Sequence, residues 1–265
     1  MRIIVLLKQV PGSAEAKLDR RSLRLIRDSV EGAINPADRC ALEIALRLRE
    51  RHGGEVEVVA LSMGPEAADD SLREALGMEA DGAALLSDPA LAGSDAYVTS
   101  LCLARACQRL APFDLILAGQ RSIDGGCAQV GPRVAEELGL PHVGEVREVE
   151  LRGGVLIVSL RWENRLIWLE VGLPALLAAA VNAVRPRYPS AAALVRACRS
   201  EVRRLTLEEL GLRPEEVGQA GSRTQVVRSQ AYEEGKDGVT LRGSAEQVAG
   251  ELLRRLRERG ALERR

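Results

Sequence analysis

Aromatic residues, histidines and lysines are all scarce in this chain of 265 residues. Aromatics make up 2% of the sequence, and the basic residues are almost all arginine, with lysine at only three positions. Of the two histidines, His52 ends a predicted helix, where it would complement the helix dipole, and His142 has no nearby Cys, Asp or second His at metal-binding spacing. The histidines therefore argue against a zinc site and against a Ser-His-Asp triad.

Cysteine motifs, excess charge and long apolar runs are also missing. The five cysteines form no CxxC, which argues against a disulfide framework, so we expect a cytoplasmic protein. A net charge of −1 excludes strong electrostatic attraction to nucleic acid or to an anionic membrane. The longest apolar run, 173–181, contains Pro174, whereas a membrane helix needs about 20 apolar residues, so we expect no membrane insertion.

Strand-like and helix-like segments alternate over the first 138 residues. Short aliphatic segments predict strands at 3–8, 56–61, 83–86 and 114–118. Capping residues and apolar periodicity predict intervening helices at 36–52, 65–78 and 95–110, and another that ends near 138. This order predicts an α/β fold with a doubly wound, mostly parallel, Rossmann-like sheet.

The pattern changes after residue 145. Three runs within 146–171 predict a β-meander, and 175–181 predicts another buried strand. After a break at 185–189 the sequence is arginine-rich and poorly periodic. We expect an extended arm over 190–243 with a short helix near 205–210, followed by an amphipathic helix from Ser244.

The segment from Gly119 to Pro132 is rich in glycine, and it leaves a predicted strand and enters a predicted helix. Its glycines allow close backbone approach, and the free amides of a helix start favour an anion by about 0.3–1 kcal/mol. Arg121 could add a charge-assisted contact to a phosphate, whereas Asp124 suits a hydroxyl or an amide. The spacing matches neither GxGxxG nor a P-loop, and a tight turn capped by Asp124 explains it equally well.

Three other turns follow predicted strands or open predicted helices: Asn35-Pro36, Ser62–Pro65 and Gly93–Thr99. Each has a plain structural explanation, as an N-cap, a packed methionine and a cap with a satisfied hydroxyl. However, all of them are expected at the carboxyl edge of one sheet, where such folds bind ligands. Because no acid–base pair accompanies them, we expect a nucleotide-binding protein rather than a hydrolase.

Taken in order, these turns resemble the β subunit of electron transfer flavoproteins. The resemblance covers about residues 2–200, and it depends on the combination of motifs rather than on any one of them. The matching motifs are Ile4–Pro11, Ile34–Asp38, Ser62–Pro65, Glu74–Met78, Asp114–Gly119, Ile123–Pro132, Leu173–Leu177 and Pro186–Ser190.

The resemblance implies an adenine nucleotide, FAD or AMP, at the strand ends and the glycine-rich loop. We expect FAD, as in the electron-bifurcating branch, because AMP-type members tend to carry Asn at the position of Ala128. Gly126 departs from the pattern of the bifurcating branch, which usually has Asp at that position. Asp95 and Thr99 fall where that branch approaches the flavin. The implied cofactor-binding residues are Leu6, Lys8, Gln9, Asn35, Asp38, Met63, Asp95, Thr99, Gly119, Gln120, Arg121, Ser122, Asp124, Gly125, Gly126, Cys127, Ala128, Gln129, Val130 and Gly131.

The resemblance also implies partners: an α subunit carrying its own FAD, and dehydrogenases or quinone reductases that exchange electrons with the heterodimer. It divides the chain into a nucleotide-binding domain, 1–190, and a partner-contacting region, 191–265. The family's docking leucine is replaced by Ala191, a loss of about 1.5–3 kcal/mol of docking energy, for which Leu194 is a candidate substitute. The expected docking residues are Tyr188, Ala191, Leu194, Arg196 and Arg199.

A hypothesis from another class is a nucleotide-sensing or hydrolysing module on the same scaffold, with no redox role. This hypothesis assigns no role to the region 190–265. In an electron-carrier subunit, the same region would wrap around a partner subunit. The flavin, not a side chain, would then carry the chemistry.

Overall fold

A computed structural model describes residues 1–12, 17–18, 25–26, 32–52, 56–227 and 238–262. The chain divides into two compact units, 1–227 and 228–265, which are described separately below. Within the described ranges, no helix has both the length and the apolar character needed to cross a bilayer.

Nine strands of the first unit form one sheet, and the others form two short ribbons. The sheet order is β11-β10-β9-β12-β8-β1-β6-β7-β13. The strands described are β1 (Arg2–Leu7), β2 (Gln9–Pro11), β3 (Lys17–Leu18), β4 (Leu25–Ile26), β5 (Gly32–Ile34), β6 (Glu57–Met63), β7 (Gly82–Leu86), β8 (Leu115–Gly119), β9 (His142–Arg152), β10 (Val155–Trp162), β11 (Arg165–Gly172), β12 (Ala175–Ala179) and β13 (Arg203–Leu205).

The sheet is parallel from β9 through to β13, and β10 and β11 complete it as an antiparallel meander. The central strands are aliphatic and almost fully buried, as expected for strands covered on both faces. The predicted doubly wound, mostly parallel α/β fold with a meander is therefore confirmed.

Helices cover both faces of the sheet, each over its own apolar core. Side chains of α1 and α2 pack on one face, and side chains of α3 and α4 pack on the other. The predicted helix over 65–78 begins as a 3-10 turn at Glu66–Ala68 and continues as α2. The helices are α1 (Pro36–Arg51), α2 (Asp69–Gly77), α3 (Ala96–Arg109), α4 (Val130–Leu138), α5 (Ala191–Arg199), α6 (Gly218–Gly221) and α7 (Ala245–Glu258).

Residues 191–227 differ from the predicted extended arm. The chain forms α5, whose small residues Ala193 and Ala197 are buried, and then β13, which pairs in parallel with β7 at the sheet edge. The helix expected near 205–210 is wrong: this stretch holds the end of β13 and a turn. Strand β13 could not be predicted, because two of its three residues are exposed arginines and only Leu205 is buried.

The second unit contains α7, which begins at the predicted residue. Ser244 caps it with a capping box, accepting from the amide of Gln247 while the Gln247 side chain accepts from the amide of Ser244. No residue of α7 is buried, although Val248, Leu252 and Leu256 recur at helical spacing. The predicted amphipathic helix is confirmed, and its role against a partner stays a prediction.

Candidate functional site

The carboxyl ends of β1, β6, β7 and β8 lie at one edge of the sheet, because these strands are parallel. Lys8 follows β1, Met63 ends β6, and Gly119 ends β8. Helix α1 begins at the same edge, where the amide of Asn35 donates to the carbonyl of Lys8 at 2.9 Å. The turns singled out at 8, 35 and 119–129 are therefore brought together.

Asn35 joins these turns through its side chain. It occupies the N-cap position of α1 but makes no capping hydrogen bond. Its Nδ2 donates instead to the carbonyl of Arg121 at 3.0 Å, and its Oδ1 accepts from the amide of Ile123 at 3.1 Å. Asn35 is fully buried. It acts as a tie between the helix start and the glycine-rich loop, not as the plain cap that its sequence position favours.

Asp38 is a second buried tie, one turn into α1. Its carboxylate accepts from the amide of Lys8 at 2.7 Å, from the amide of Gly119 at 3.1 Å and from Nδ2 of Asn35 at 2.9 Å. Burial raises the pKa of Asp38 to about 7, although these three hydrogen bonds act in the opposite direction. Asp38 thus fastens two neighbouring strand ends to the same helix.

Gly119 is required by this close approach. A Cβ added there would lie 2.1 Å from Oδ1 of Asp38 and 2.7 Å from its backbone nitrogen. The end of β8 therefore reaches the first turn of α1 more closely than any side chain allows.

Lys8, just after β1, and Asp124, in the glycine-rich loop, form an ion pair. The Lys8 Nζ lies 2.6 Å from Oδ1 of Asp124 and 3.4 Å from Oγ of Ser122. Burial alone would raise the pKa of Asp124, but the hydrogen bonds from Lys8 and Ser122 outweigh it and lower the pKa below its ordinary value. One of only three lysines in the sequence thus neutralises the single carboxylate of this loop.

The glycine-rich loop leads into α4, and its backbone is exposed at Gly125 and Gly126. Gly126 and Ala128 adopt left-handed conformations, with φ of +64° and +53°. A Cβ at Gly126 would meet nothing within 4 Å, and no side chain caps the start of α4. Arg121, earlier in the same loop, is exposed. An uncapped helix start that follows an open glycine turn and a loop with an exposed arginine fits a phosphate-bearing ligand.

The other predicted binding residues take varied positions around this edge. Leu6 is buried in the core, Met63 is half-buried, and Gln9 donates to the carbonyl of Ala67. Gln120 accepts from the amide of Glu145, and Gly131 lies against side chains of β12. Gly125, Cys127 and Gln129 are exposed along the loop, and Val130 begins α4. Their roles in binding stay predictions.

Asp95 and Thr99 lie at the start of α3, which follows β7 at the same edge of the sheet. Asp95 caps α3 by accepting from the amide of Val98 at 2.9 Å, as its sequence position predicts. Its second carboxylate oxygen accepts from the amide of Thr224 at 2.9 Å. The amides of Tyr97 and Arg223 also donate to this carboxylate. Asp95 is therefore engaged mainly by backbone amides, and a contact to a ligand stays a prediction.

The predicted docking residues lie elsewhere, on α5 and the turn before it. Tyr188 is 83% exposed, and Ala191, Arg196 and Arg199 are also exposed. Leu194 is 41% exposed and packs against Gly77 of α2. Helix α5 packs on α2, so these residues form a surface separate from the glycine-rich loop.

Several residues that shape these two regions could not be identified from sequence patterns. Arg187 pairs with Glu43 across 144 positions, and Arg73 donates to carbonyls at the end of α5. The amide of Ile123 is held by Asn35 although the Ile123 side chain is exposed. Such contacts join distant segments, so no local pattern could have found them.

The chain is similar to known proteins over most of its length. Residues 22–210 match the family described as electron transfer flavoprotein domain. The chain is 42% identical over 260 residues to the electron transfer flavoprotein subunit beta of Thermoanaerobacterium thermosaccharolyticum, covering 98% of this chain and 99% of that protein. It is 39% identical over 258 residues to the corresponding subunit of Clostridium acetobutylicum, covering 97% and 98%.

A third relative has a more specific name. The caffeyl-CoA reductase-Etf complex subunit CarD of Acetobacterium woodii is 38% identical over 260 residues, covering 98% of this chain and 99% of that protein. Full-length similarity to these proteins, together with the family match over most of the sequence, shows that the chain belongs to the electron transfer flavoprotein family, as a β subunit.

Proposed function

We propose that this β subunit binds FAD at the edge formed by Lys8, Asn35 and the glycine-rich loop, and that it transfers electrons as a heterodimer with an α subunit. The observation that carries the proposal is the Asn35 tie, which draws three predicted turns into one site. Within the described residues, that site gathers backbone amides, Arg121 and a lysine already paired with Asp124, a set of groups that suits binding more than catalysis.

Each part of the site has a distinct task in this proposal. The amides at the start of α4 and the Arg121 guanidinium would hold the pyrophosphate. Lys8 keeps Asp124 paired, so that its carboxylate does not repel the phosphates. FAD, when bound, supplies the redox chemistry through its isoalloxazine ring. The protein contributes placement and a field of oriented amides.

Ala128 supports FAD over AMP. It stands at φ +53°, a conformation that costs an alanine about 1–2 kcal/mol and that asparagine tolerates better. Keeping a methyl group there, despite the strain, leaves more room beside the loop than an asparagine side chain would. That room suits a ligand larger than a mononucleotide.

The ligand content of the purified heterodimer tests the proposal. After co-expression with the α subunit, flavin and AMP are released by denaturation and quantified per heterodimer. We expect two FAD and no AMP, as the bifurcating branch requires. One FAD with one AMP would replace this proposal with a simple electron carrier, and a colourless heterodimer would refute the redox function itself.

Replacing Lys8 with methionine is expected to weaken nucleotide retention about tenfold, equivalent to about 1.4 kcal/mol. The change leaves the nearly buried carboxylate of Asp124 without its cation, next to the phosphates. Dialysis followed by flavin quantification measures the loss. Arg49→Met is the matched control, since it breaks the Arg49–Asp81 ion pair outside the site. Equal losses in both variants would contradict the role given to Lys8.

We also propose that the heterodimer exchanges electrons with a dehydrogenase or a reductase. The support is the name of the Acetobacterium relative, which assigns that protein to a complex with caffeyl-CoA reductase. The exposed surface of α5, with Tyr188 before it, is the docking region in this proposal.

A further inference from the structure

Residues 217–224, near the end of the first unit, are attached to the loop that precedes α3. Gly218 has a φ of +59°, and a Cβ added to it would lie 2.0 Å from the carbonyl oxygen of Ala90. The amide of Gln219 donates to the carbonyl of Ala92 at 3.2 Å. Only glycine allows the backbone to approach the loop so closely, and the segment is therefore fixed to the sheet rather than extended from it.

Asp95 and Ser222 fasten the same two segments in both directions. Oδ2 of Asp95 accepts from the amide of Thr224 at 2.9 Å, and the amide of Arg223 also donates to this carboxylate. The amide of Asp95 in turn donates to Oγ of Ser222 at 2.8 Å. The Ser222 hydroxyl donates to the carbonyl of Gly218 at 2.6 Å. We call these contacts the clasp.

The clasp holds Arg223 against an aromatic ring. The guanidinium carbon of Arg223 lies 3.9 Å from the centroid of the Tyr97 ring, in the first turn of α3. Among the residues that the structure describes, the guanidinium has no acceptor and no ion-pair partner. A contact with a ring face does not satisfy the five N–H donors of an arginine as hydrogen bonds would. Arg223 is thus a fixed cation with donors to offer.

Arg223 and the glycine-rich loop lie at the same edge of the sheet. Tyr97 follows β7, whereas the loop follows β8, and the strand order between them is β8-β1-β6-β7. Three strand spacings, about 14 Å in all, therefore separate the two strand ends. A dinucleotide whose pyrophosphate lies at the glycine-rich loop has a second half that can cover this distance, whereas a mononucleotide ends at its phosphate.

The charge of Arg223 selects one part of such a dinucleotide. Beyond the pyrophosphate, FAD consists of a neutral ribityl chain and the isoalloxazine ring. The ring is neutral when oxidised and becomes anionic when it is reduced at neutral pH. A cation at this end of the edge therefore complements the reduced ring.

We propose that Arg223 is a cofactor-binding residue that faces the isoalloxazine ring, and that Asp95 is its positioning residue. The inference rests on the proposed function, since it requires FAD rather than AMP at the glycine-rich loop. Residues 217–224 then complete a site whose other parts lie before residue 190. A fixed cation beside the ring stabilises the reduced form more than the oxidised form, so Arg223 raises the reduction potential of this flavin.

The reduction potentials of the two flavins in the intact heterodimer, measured by spectroelectrochemical titration, test the role of Arg223. Arg223→Gln is expected to weaken the binding of the reduced ring relative to the oxidised ring about tenfold, which lowers the potential of one flavin by about 30 mV. Arg223→Lys keeps a cation and should stay within about twofold of the wild type. Arg105→Gln is the matched control, because it removes an exposed arginine about two turns further along α3.

Asp95→Asn separates the clasp from the cap of α3. Asparagine caps a helix as well as aspartate does, so the amide of Val98 keeps its acceptor. The NH2 group of the asparagine would then face the amides of Arg223 and Thr224. We expect the potential to fall as in Arg223→Gln, and we expect trypsin to cleave after Arg223 about tenfold faster, because this cleavage requires the clasp to open.

A double variant and a second control distinguish positioning from a general loss of stability. Because Asp95 acts through Arg223, Asp95→Asn/Arg223→Gln should have the potential of Arg223→Gln alone. Asp88→Asn is the control, since Asp88 also caps a helical turn, by accepting from the amide of Ala90, but is not part of the clasp. Its flavin potentials and its cleavage by trypsin should equal those of the wild type.

Three results would overturn the inference: unchanged potentials in Arg223→Gln, an equal shift in Arg105→Gln, or additive shifts in the double variant. Failure of the proposed function is recognised separately, from the ligand content of the wild type. One FAD with one AMP would overturn that function and this inference together. Two FAD with potentials that do not depend on residue 223 would overturn only the role of Arg223.

Discussion

Replacing Gly119 with alanine is expected to destabilise the protein by about 3 kcal/mol or more, at the upper end of overpacking effects. The new methyl group would lie 2.1 Å from the Asp38 carboxylate, 2.7 Å from the Asp38 nitrogen and 2.8 Å from the carbonyl carbon of Ala37. Two of these atoms are backbone in the first turn of α1, so they cannot rotate away. Chemical denaturation of the heterodimer measures the loss.

Relief of this clash must separate β8 from α1, so the same variant should lose its nucleotide. Gly82→Ala is the control, because it also adds a methyl group to a glycine in a strand of the nine-stranded sheet, β7. There the nearest atoms are methyl groups of Val59 at 3.8 and 3.9 Å, which is ordinary contact. Its stability should stay within about 1 kcal/mol of the wild type. Similar losses at both positions would contradict the close approach of β8 to α1.

Replacing Asp38 with asparagine is expected to remove a pH dependence of stability as well as to destabilise the fold. Burial raises the pKa of Asp38 from 3.8 to about 7 in the folded protein. The folded state therefore keeps a proton that the unfolded state releases. This contribution to stability is complete below pH 3.8 and is lost as the pH rises through 7, a change on the order of 4 kcal/mol.

The asparagine side chain cannot titrate. Three donors now point at the two carboxylate oxygens of Asp38, so the NH2 group of an asparagine would face at least one donor instead of an acceptor. We expect it to cost about 1–3 kcal/mol for the unsatisfied donor. Free energies of unfolding measured from pH 4.5 to 8 should fall more steeply for the wild type than for Asp38→Asn. Parallel curves would show that Asp38 does not titrate in this range.

The sequence predicted the sheet better than it predicted the contacts within the site. Buried parallel strands are continuous aliphatic runs, and turns between strands and helices have strong local preferences, so both could be read from neighbouring residues. The side-chain contacts of Asn35 could not be predicted in this way. Its position before Pro36 favours a cap, but its real partners, Arg121 and Ile123, are more than 80 positions away.

The secondary structure of residues 191–205 was predicted wrongly for another reason. Helix α5 buries alanines rather than large apolar residues, so its buried face has no clear periodicity in the sequence. Strand β13 is three residues long and begins with two arginines, and it is a strand only because the edge of β7 is available to pair with it. Tertiary context overrides weak local preference in both elements.

Both tryptophans of the sequence, Trp162 and Trp168, lie on the hairpin of β10 and β11 at the outer end of the sheet. They are 64% and 49% exposed. Their ultraviolet emission is therefore that of indole in water whenever this hairpin is uncovered. A protein that covers the hairpin would shift the emission to shorter wavelength, so the molecule carries an intrinsic optical signal of assembly that requires no label.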